Sequence, residues 1–358
     1  MGLKSIIQQF DIMGEVTKVK IYGSGHINTT YRVNTTEEDY ILQKVNTAIF
    51  KNMDQLVENV AGVTEYLREA IEKRGGNPRR ETLQVIRTKD GCNYYKGDDG
   101  YSYRMYYFIT DASCYDIVEK PEDFYESAVT FGKFQCLLAS YPAETLHETI
   151  PNFHHTAKRY ETFLQAVEQD VYNRASEVQE EIAFVMKRAE EMHILTDMLE
   201  KGELPLRVTH NDTKLNNIMI DNETGKGICI LDLDTVMPGL SVNDFGDAIR
   251  FGANTALEDE TDLNKVSLDL GLYEIFAKGF LEGCQGILTE NERKMLPMGA
   301  KMMTLECGMR FLTDYLEGDT YFKIHRKHHN LDRCRCQFAL VADMERKWDK
   351  MTEIVQKY

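Results

Sequence analysis

The residues of this sequence that could do chemistry are concentrated between positions 210 and 232. His210 and Asp212 form a His-x-Asp motif, Asn217 follows the aspartate by five positions, and an apolar segment then ends at Asp232. Phosphoryl transfer from ATP needs such a set. One carboxylate orients the attacking hydroxyl and accepts its proton, while an amide and a second carboxylate hold Mg²⁺ on the phosphates. The spacing therefore predicts a phosphotransferase site.

The segment between Asn217 and Asp232 is expected to bring these two metal ligands together. Apolar runs at 218–220 and 228–231 flank a polar turn at 221–227, which predicts a β-hairpin. Aspartate and asparagine also occur in ordinary turns and caps, and a single match to this motif can arise by chance. The chemical interpretation is favoured here because a β-rich segment with a glycine-rich turn precedes the motif.

Residues 1–108 are predicted to form a small lobe around an antiparallel sheet. Alternating residues from 17 to 45 are broken by a glycine-rich turn and by the polar turn NTTEED, which predicts three strands. Apolar residues spaced as one helix face follow from 52 to 73, and further strand candidates lie at 81–88 and 101–109. We therefore expect five strands and one helix in this lobe.

Residues 109–358 are predicted to form a larger, mostly helical lobe that also carries the acceptor pocket. Helical patterns recur in five segments, at 121–138, 153–173, 176–201, 261–284 and 291–316. The interruption between the third and fourth segments contains the catalytic loop (208–217) and the metal hairpin (218–234). The expected fold class is α+β with two lobes.

Composition restricts the partners of the chain. The 358 residues carry 42 Lys and Arg against 58 Asp and Glu, a formal charge of −16, which disfavours nucleic acid or an anionic membrane as the main partner. No apolar run approaches ~18 residues, and the first residues lack the apolar run of a signal peptide. Eight scattered cysteines are typical of reduced thiols. We expect a cytoplasmic protein that is a monomer or a weak homo-oligomer.

Several motifs resemble one family of small-molecule kinases. The segments THNDTKLNN, ILDLDT and NDFGDAIR resemble those of the aminoglycoside phosphotransferase/choline kinase-like family, which shares the bilobal protein-kinase fold. Within that family, VTHNDTKLNNIMID, GSGHINTTYRV, YILQKVN and LECGMRFLTDYLEGDTYF are similar to bacterial N-acetylhexosamine 1-kinases. The resemblance spans nearly the whole chain. It implies an antiparallel five-stranded lobe, a helical lobe, and ATP and Mg²⁺ as cofactors for phosphorylating the anomeric hydroxyl of a GlcNAc or GalNAc sugar.

The resemblance also implies roles for residues of the catalytic loop. Asp212 matches the catalytic base, and Asn217 and Asp232 match the Mg²⁺ ligands. Asp244 stands where the family keeps an aspartate that braces this loop. Lys214 resembles a lysine that some kinases direct at the transferred phosphate, and its alternative interpretation is a solvated charge.

The expected nucleotide-binding residues depart from the family pattern. Gly23 and Gly25 match the first two glycines of a phosphate-binding loop, but Asn28 occupies the third position. The third strand normally supplies a lysine for the phosphates, and alternation allows only one of Gln43 and Lys44 to face the cleft. Alignment with the family places Gln43 there, so the phosphates lose a cation and Lys44 points away.

Two other features of the small lobe follow from the resemblance. Adenine should lie against the segment that includes Tyr107 and Ile109, where backbone groups of the lobe connection can recognise the base edge. Glu58 would be the usual partner of the strand-three lysine, but with Gln43 in its place Glu58 is equally well explained as an exposed glutamate.

The acceptor pocket is expected to combine polar groups with a flat apolar surface. The resemblance suggests these substrate-binding residues beside Asp212: His26, Phe251, Arg310, Tyr321 and Trp348. Arg310 lies in an otherwise apolar helical segment and needs a partner, which could be a substrate oxygen, Asp212 or Asp314. An arginine and a histidine in the pocket disfavour a cationic acceptor.

Three alternatives remain open at this stage. The chain could phosphorylate choline, homoserine, another sugar or another small alcohol, or it could be a pseudokinase that binds nucleotide without turnover. A His/Cys cluster at 325–336 could bind zinc, but its spacing is unlike that of common sites and basic residues crowd it, so a basic surface patch is favoured.

Overall fold

The computed structural model describes residues 2–23, 28–47 and 52–358. In the small lobe, six antiparallel strands pair in the order β1-β2-β3-β6-β4, and β5 also pairs with β6. The elements are α1 (Leu3–Ile7), β1 (Val16–Ile21), β2 (Thr29–Thr35), β3 (Tyr40–Val45), α2 (Met53–Lys73), α3 (Pro78–Glu81), β4 (Val85–Ile86), β5 (Tyr95–Lys96) and β6 (Ser102–Tyr107).

The small lobe contains more elements than the sequence predicts. The two-residue strand β5 and the short helices α1 and α3 were not expected. The predicted strand at 81–88 is reduced to β4. Its first residue belongs to α3, which Asn77 caps and which has a proline in its first turn. Short elements of this kind depend on tertiary packing more than on their own periodicity.

The register of β3 and β6 determines which side chains face the second lobe. Gln43 lies opposite Arg104, and Lys44 lies opposite Tyr103 on the other face. That other face packs against Ile6 of α1 and its neighbours in a separate apolar cluster. The Gln43 and Arg104 side chains therefore point to the cleft between the lobes.

The larger lobe consists mainly of helices around one extended core. A hairpin of β9 and β10 pairs with β7, and β8 pairs with β11. The elements are β7 (Ala112–Ser113), α4 (Pro121–Leu137), α5 (Thr156–Gln169), α6 (Gln179–Met186), α7 (Ile194–Glu200), β8 (Arg207–Thr209), β9 (Ile218–Asp221), β10 (Gly227–Ile230), β11 (Met237–Gly239), α8 (Ser241–Gly252), α9 (Leu270–Cys284), α10 (Glu290–Leu316), α11 (His329–Arg346) and α12 (Trp348–Gln356).

Helix boundaries differ from the sequence predictions at three places. The segment 176–201 is divided into α6 and α7 with 3₁₀ turns between and before them. Helix α9 starts only after Asp269, whose side chain accepts from the N–H groups of its first turn. Helices α11 and α12 were not predicted. The many charged, His and Cys residues make the helical spacing of the apolar residues that α11 buries difficult to recognise in the sequence.

Helices α8 and α10 pack in close contact, and this packing determines where α8 lies relative to the predicted acceptor pocket. A Cβ atom on Gly246 would overlap the carbonyl oxygen of Gly299, and one on Gly299 would overlap that of Val242. The approach requires residues without a side chain. The packing fixes α8, which carries Asp244, against α10, which carries Arg310.

Candidate active site

A buried aspartate on α8 holds the backbone of the catalytic loop. Asp244 accepts hydrogen bonds from the backbone N–H of His210 at 2.9 Å and of Asn211 at 2.8 Å. The Gln135 side chain donates to the same carboxylate at 2.9 Å, and Thr213 donates to the Asp244 carbonyl at 2.6 Å. The geometry is that of the brace expected from the sequence. It fixes the direction in which the next residue, Asp212, leaves the backbone.

His210 is part of this support. Its ring is fully buried, with the edges of Phe131 and Phe134 around it. One ring nitrogen lies 2.8 Å from the carbonyl oxygen of Leu231, the residue directly before Asp232. The histidine therefore ties the catalytic loop to the end of the hairpin and is not exposed to a substrate.

Asp212 lies at the centre of a polar group formed by the loop itself. Lys214 Nζ is 2.8 Å from its Oδ1, and Asn217 Nδ2 donates to its Oδ2 at 3.1 Å. Burial would lower the pKa of Lys214, but the carboxylate beside it outweighs that effect and raises the pKa. The structure thus brings Asp212, Lys214 and Asn217 together, with the carboxylate still 28% exposed.

Asp232 joins this group through the hairpin. The backbone N–H of Leu231 donates to the carbonyl of Asn217 at 2.8 Å, which closes the base of the hairpin. Asp232 itself adopts a left-handed conformation with φ of 54°. Burial, followed by the negative charges of Asp234 and Asp212, raises the pKa of Asp232 to about 6.

These carboxylates fit a divalent cation. The negative charges of Asp234 and Asp212 act on the Asp232 carboxylate, and a bound Mg²⁺ would offset this repulsion. Asn217 and Asp232 are the residues that would hold it. The described residues contain no group of three or more His, Cys, Asp or Glu side chains around one point, the cluster at 325–336 included. Magnesium commonly takes only one or two protein carboxylates together with substrate phosphates.

A second polar network lies on the small-lobe side of Asp232. Arg104 Nε donates to Gln43 Oε1 at 2.9 Å, and its guanidinium forms an ion pair with Asp234. Asn28 Nδ2 donates to the other oxygen of Asp234 at 2.7 Å. Arg104 was not among the residues predicted from the sequence. A charged residue in the otherwise uncharged, aromatic-rich strand SYRMYY was the signal that could have found it, because a buried charge needs a partner.

Lys44 lies on the opposite face of β3, as the alignment with the family expected. Its ammonium is 3.5 Å from Asp99 and 3.4 Å from the centre of the Tyr101 ring. Among the described residues, Glu58 forms no ion pair with β3, and it lies 2.8 Å from His147. The usual ion pair between strand three and the following helix is therefore replaced in this chain.

The predicted nucleotide-binding residues have different environments. Gly23 has a positive φ of 76°, which suits a tight turn, whereas Gly25 and His26 lie outside the described residues. The Tyr107 side chain stacks on Tyr40 on the outer face of the sheet and Ile109 is buried in the core. Recognition of the base edge by backbone groups of this segment stays a prediction.

On the acceptor side, Arg310 lies among aromatic rings. Its guanidinium carbon is 5.3 Å from the centre of the Phe153 ring, 5.8 Å from Tyr321 and 5.5 Å from Phe322. Within the described ranges, no carboxylate pairs with it. Asp314 instead accepts from the backbone N–H groups of 320–322, so it is not the partner that the sequence suggested.

Asp212 is not the partner of Arg310 either, because it pairs with Lys214. Two contacts nevertheless connect the acceptor side to the catalytic loop. Lys214 Nζ lies 5.0 Å from the centre of the Phe251 ring. His154 bridges Glu306 of α10, at 2.8 Å, and the carbonyl of Asn211, at 3.4 Å.

Trp348 lies apart from these residues. Its ring is 5.9 Å from Lys301, which forms ion pairs with Glu191 and Glu345. Lys301 and Arg310 are nine positions apart on α10, about 180° around the helix. The structure therefore does not bring Trp348 to the acceptor side.

Comparisons with known proteins agree with this architecture. A model of the phosphotransferase enzyme family matches residues 18–266. Similar solved structures include a microcompartment-associated aminopropanol kinase (14% identity, TM-score 0.64, 98% of each chain). An aminoglycoside phosphotransferase from Alicyclobacillus acidocaldarius is also similar, with 12% sequence identity and a TM-score of 0.65 over 99% of this chain and 96% of the other. A choline kinase from Cryptosporidium parvum is similar as well, with 13% sequence identity and a TM-score of 0.58 over 95% of this chain and 92% of the other. These structures confirm the expected bilobal α+β fold.

Proposed function

The chain belongs to the phosphotransferase enzyme family, and from this premise we propose that it is an ATP- and Mg²⁺-dependent N-acetylhexosamine kinase. The reaction transfers the γ-phosphoryl group of ATP to the anomeric hydroxyl of GlcNAc or GalNAc and yields the sugar 1-phosphate and ADP. Small-molecule phosphotransfer is the activity of the family. The identity of the acceptor is the part that we propose.

The catalytic loop supports the transfer step. Asp212 orients the sugar hydroxyl and accepts its proton, because its carboxylate is partly exposed and is held from both sides by Lys214 and Asn217. Lys214 stabilises negative charge that develops beside the carboxylate. Asn217 and Asp232 hold Mg²⁺, which supplies neutralisation of the phosphate charge when bound.

One observation carries the choice of acceptor: Arg310 lies beside three aromatic rings and has no carboxylate partner among the described residues. An arginine without an ionic partner favours a neutral, oxygen-rich ligand, whose hydroxyl or acetamide oxygens accept hydrogen bonds from its N–H groups. An aromatic ring can then pack against the face of the sugar. Tyr321, 65% exposed, and Phe251 are the rings best placed for that contact.

A cationic acceptor is disfavoured by the same surroundings. The carboxylates nearest to this side already have partners. Asp247 and Glu258 pair with Arg250, and Glu306 lies 2.8 Å from His154. Choline kinase and aminopropanol kinase, which share the fold, are named for acceptors that carry an ammonium or amino group. A pocket with an unpaired arginine repels such a group.

An acceptor panel tests the proposal. ADP release is measured with N-acetylglucosamine, N-acetylgalactosamine, glucose, choline and homoserine, with and without Mg²⁺. We expect turnover with the N-acetylhexosamines only in the presence of Mg²⁺, and a product whose anomeric proton couples to phosphorus in NMR spectra. Turnover with choline or homoserine alone would contradict the sugar assignment. Nucleotide-dependent thermal stabilisation without turnover on any acceptor would instead indicate a pseudokinase.

A further inference from the structure

Arg104 is a buried cation with one unused donor. Its side chain is only 3% exposed, Nε donates to Gln43 and the guanidinium pairs with Asp234. Nη1 is buried and has no hydrogen-bond partner among the described residues. A buried polar atom without a partner is costly, and native structures rarely retain one without a reason.

The place of Arg104 in the fold gives such a reason. It projects from β6 directly opposite Gln43, the residue at the position where kinases of this fold carry a phosphate-binding lysine. Its ionic partner Asp234 is two residues after the metal ligand Asp232. The guanidinium therefore lies beside the segment that carries Asp232, close enough for the two charges to interact, on the face of the sheet that points into the cleft.

We propose that Arg104 is the phosphate-binding cation of this site and takes over, from the neighbouring strand, the role of the absent strand-three lysine. This inference rests on the proposed function, since it assumes a nucleoside triphosphate in the cleft. A planar guanidinium can donate two parallel hydrogen bonds to phosphate oxygens while it keeps a third to a side-chain amide. The free Nη1 is the donor available for the phosphate chain.

Gln43 is a positioning residue in this arrangement. It accepts from Arg104 Nε through its carbonyl oxygen and donates through its amide to Thr30 Oγ1 at 3.3 Å. A lysine at position 43 would have no carbonyl oxygen to offer, and it would place a second positive charge against the guanidinium. The glutamine in β3 and the arginine in β6 thus form one unit.

Equilibrium binding measured by calorimetry separates this role from a purely structural one. The ligands are Mg²⁺-ADP and adenosine, which lacks phosphates, and the variants of the full chain are Arg104→Met and the control Lys44→Met. Lys44 is a suitable control because it is the neighbouring cation in β3 but lies on the outer face with Asp99. We expect Arg104→Met to weaken ADP binding by roughly 10- to 100-fold, with adenosine binding unchanged. Lys44→Met should change neither.

A double variant and a conservative one complete the test. Gln43→Lys in the Arg104→Met background should restore part of the ADP affinity, because it returns the cation to strand three. Arg104→Lys keeps the positive charge but lacks the planar guanidinium group. It should fold even if Arg104→Met does not. It should still lose ADP affinity selectively, by a smaller factor.

Two results would overturn the inference. Equal losses of ADP and adenosine affinity in Arg104→Met and Arg104→Lys would show that Arg104 only supports the cleft. Unchanged ADP affinity in both would show that it does not bind phosphate. Failure of the wild-type protein to bind ADP is a different outcome, since it would overturn the proposed function and this inference with it.

Discussion

The ammonium of Lys214 lies 2.8 Å from a carboxylate oxygen of Asp212, two positions earlier in the catalytic loop. Asn217 donates to the other oxygen of the same carboxylate. Both oxygens are therefore oriented before any substrate arrives. Lys214 is not a freely solvated charge, because burial and this pairing hold it over the Phe251 ring.

Replacing the proposed base should abolish most turnover. We expect Asp212→Asn to lower kcat by about 10²- to 10⁴-fold, since an amide cannot accept the proton of the sugar hydroxyl. ADP binding, measured by calorimetry, should remain. The control is Asp349→Asn, an exposed aspartate on α12. Turnover close to that of the wild type would refute the role of Asp212.

Lys214→Met should affect the rate more than the binding of either substrate. We expect a decrease in kcat of roughly 10- to 100-fold, because a charge-assisted contact in the transition state is lost. The KM values for sugar and ATP should change little in steady-state assays. Lys350→Met, an exposed lysine elsewhere in the chain, is the control. A large rise in the KM for ATP with unchanged kcat would instead assign Lys214 to nucleotide binding.

Arg310→Gln tests the acceptor pocket separately from catalysis. We expect the KM for the sugar to rise by roughly tenfold or more while ADP affinity stays the same, since hydrogen bonds from a charged donor are lost. Arg293→Gln, an exposed position on the same helix, is the matched control. If both variants keep the wild-type KM for the sugar, Arg310 does not contact the acceptor.

The brace formed by Asp244 should contribute to stability. We expect Asp244→Asn to reduce the free energy of unfolding by roughly 2–3 kcal/mol, because an amide group would face backbone N–H donors in a buried site. Asp269→Asn is the control, since asparagine caps a helix as well as aspartate and should change stability by less than about 0.5 kcal/mol. Urea denaturation measures both, and equal effects would contradict the brace.

The ion pairs of Glu345 should make stability depend on pH. Burial would raise the pKa of Glu345, but Arg188 and Lys301 outweigh it and lower the pKa from 4.5 to about 2. The folded protein therefore holds this proton more weakly than the unfolded chain. The stabilisation is complete above pH 4.5 and is lost as the pH falls towards 2.

Denaturation of the wild type and Glu345→Gln at several pH values checks this expectation. The advantage of the wild type at pH 7 should be about 1–2 kcal/mol, since the carboxylate is partly exposed and screened. It should shrink below pH 4.5. Glu353→Gln, at an exposed position, should show no such trend. A constant difference between the wild type and Glu345→Gln from pH 7 to pH 3 would contradict the assignment.

The chain carries no helix in its described ranges that is long and apolar enough to cross a membrane. This agrees with the absence of long apolar runs in the sequence.

The sequence by itself determined the hairpin of β9 and β10 and the polar residues that precede and follow it. His210, Asp212, Asn217 and Asp232 lie within 23 positions, and a hairpin of this length can close in only a few ways. Strand alternation also indicated that only one of Gln43 and Lys44 can face the cleft, and the resemblance to the family selected Gln43, which the register of β3 and β6 places there.

Only the tertiary structure decided which distant side chains join this site. Asn28 and Asp234 are 206 positions apart, and His154 and Glu306 are 152 apart. Such pairs depend on how the lobes and helices pack, and this packing cannot be predicted from local sequence patterns. For the same reason Trp348 lies on the far side of α10 from Arg310, and the cation that pairs with Asp234, two residues after the proposed metal ligand Asp232, is Arg104 from β6 and not a residue of β3.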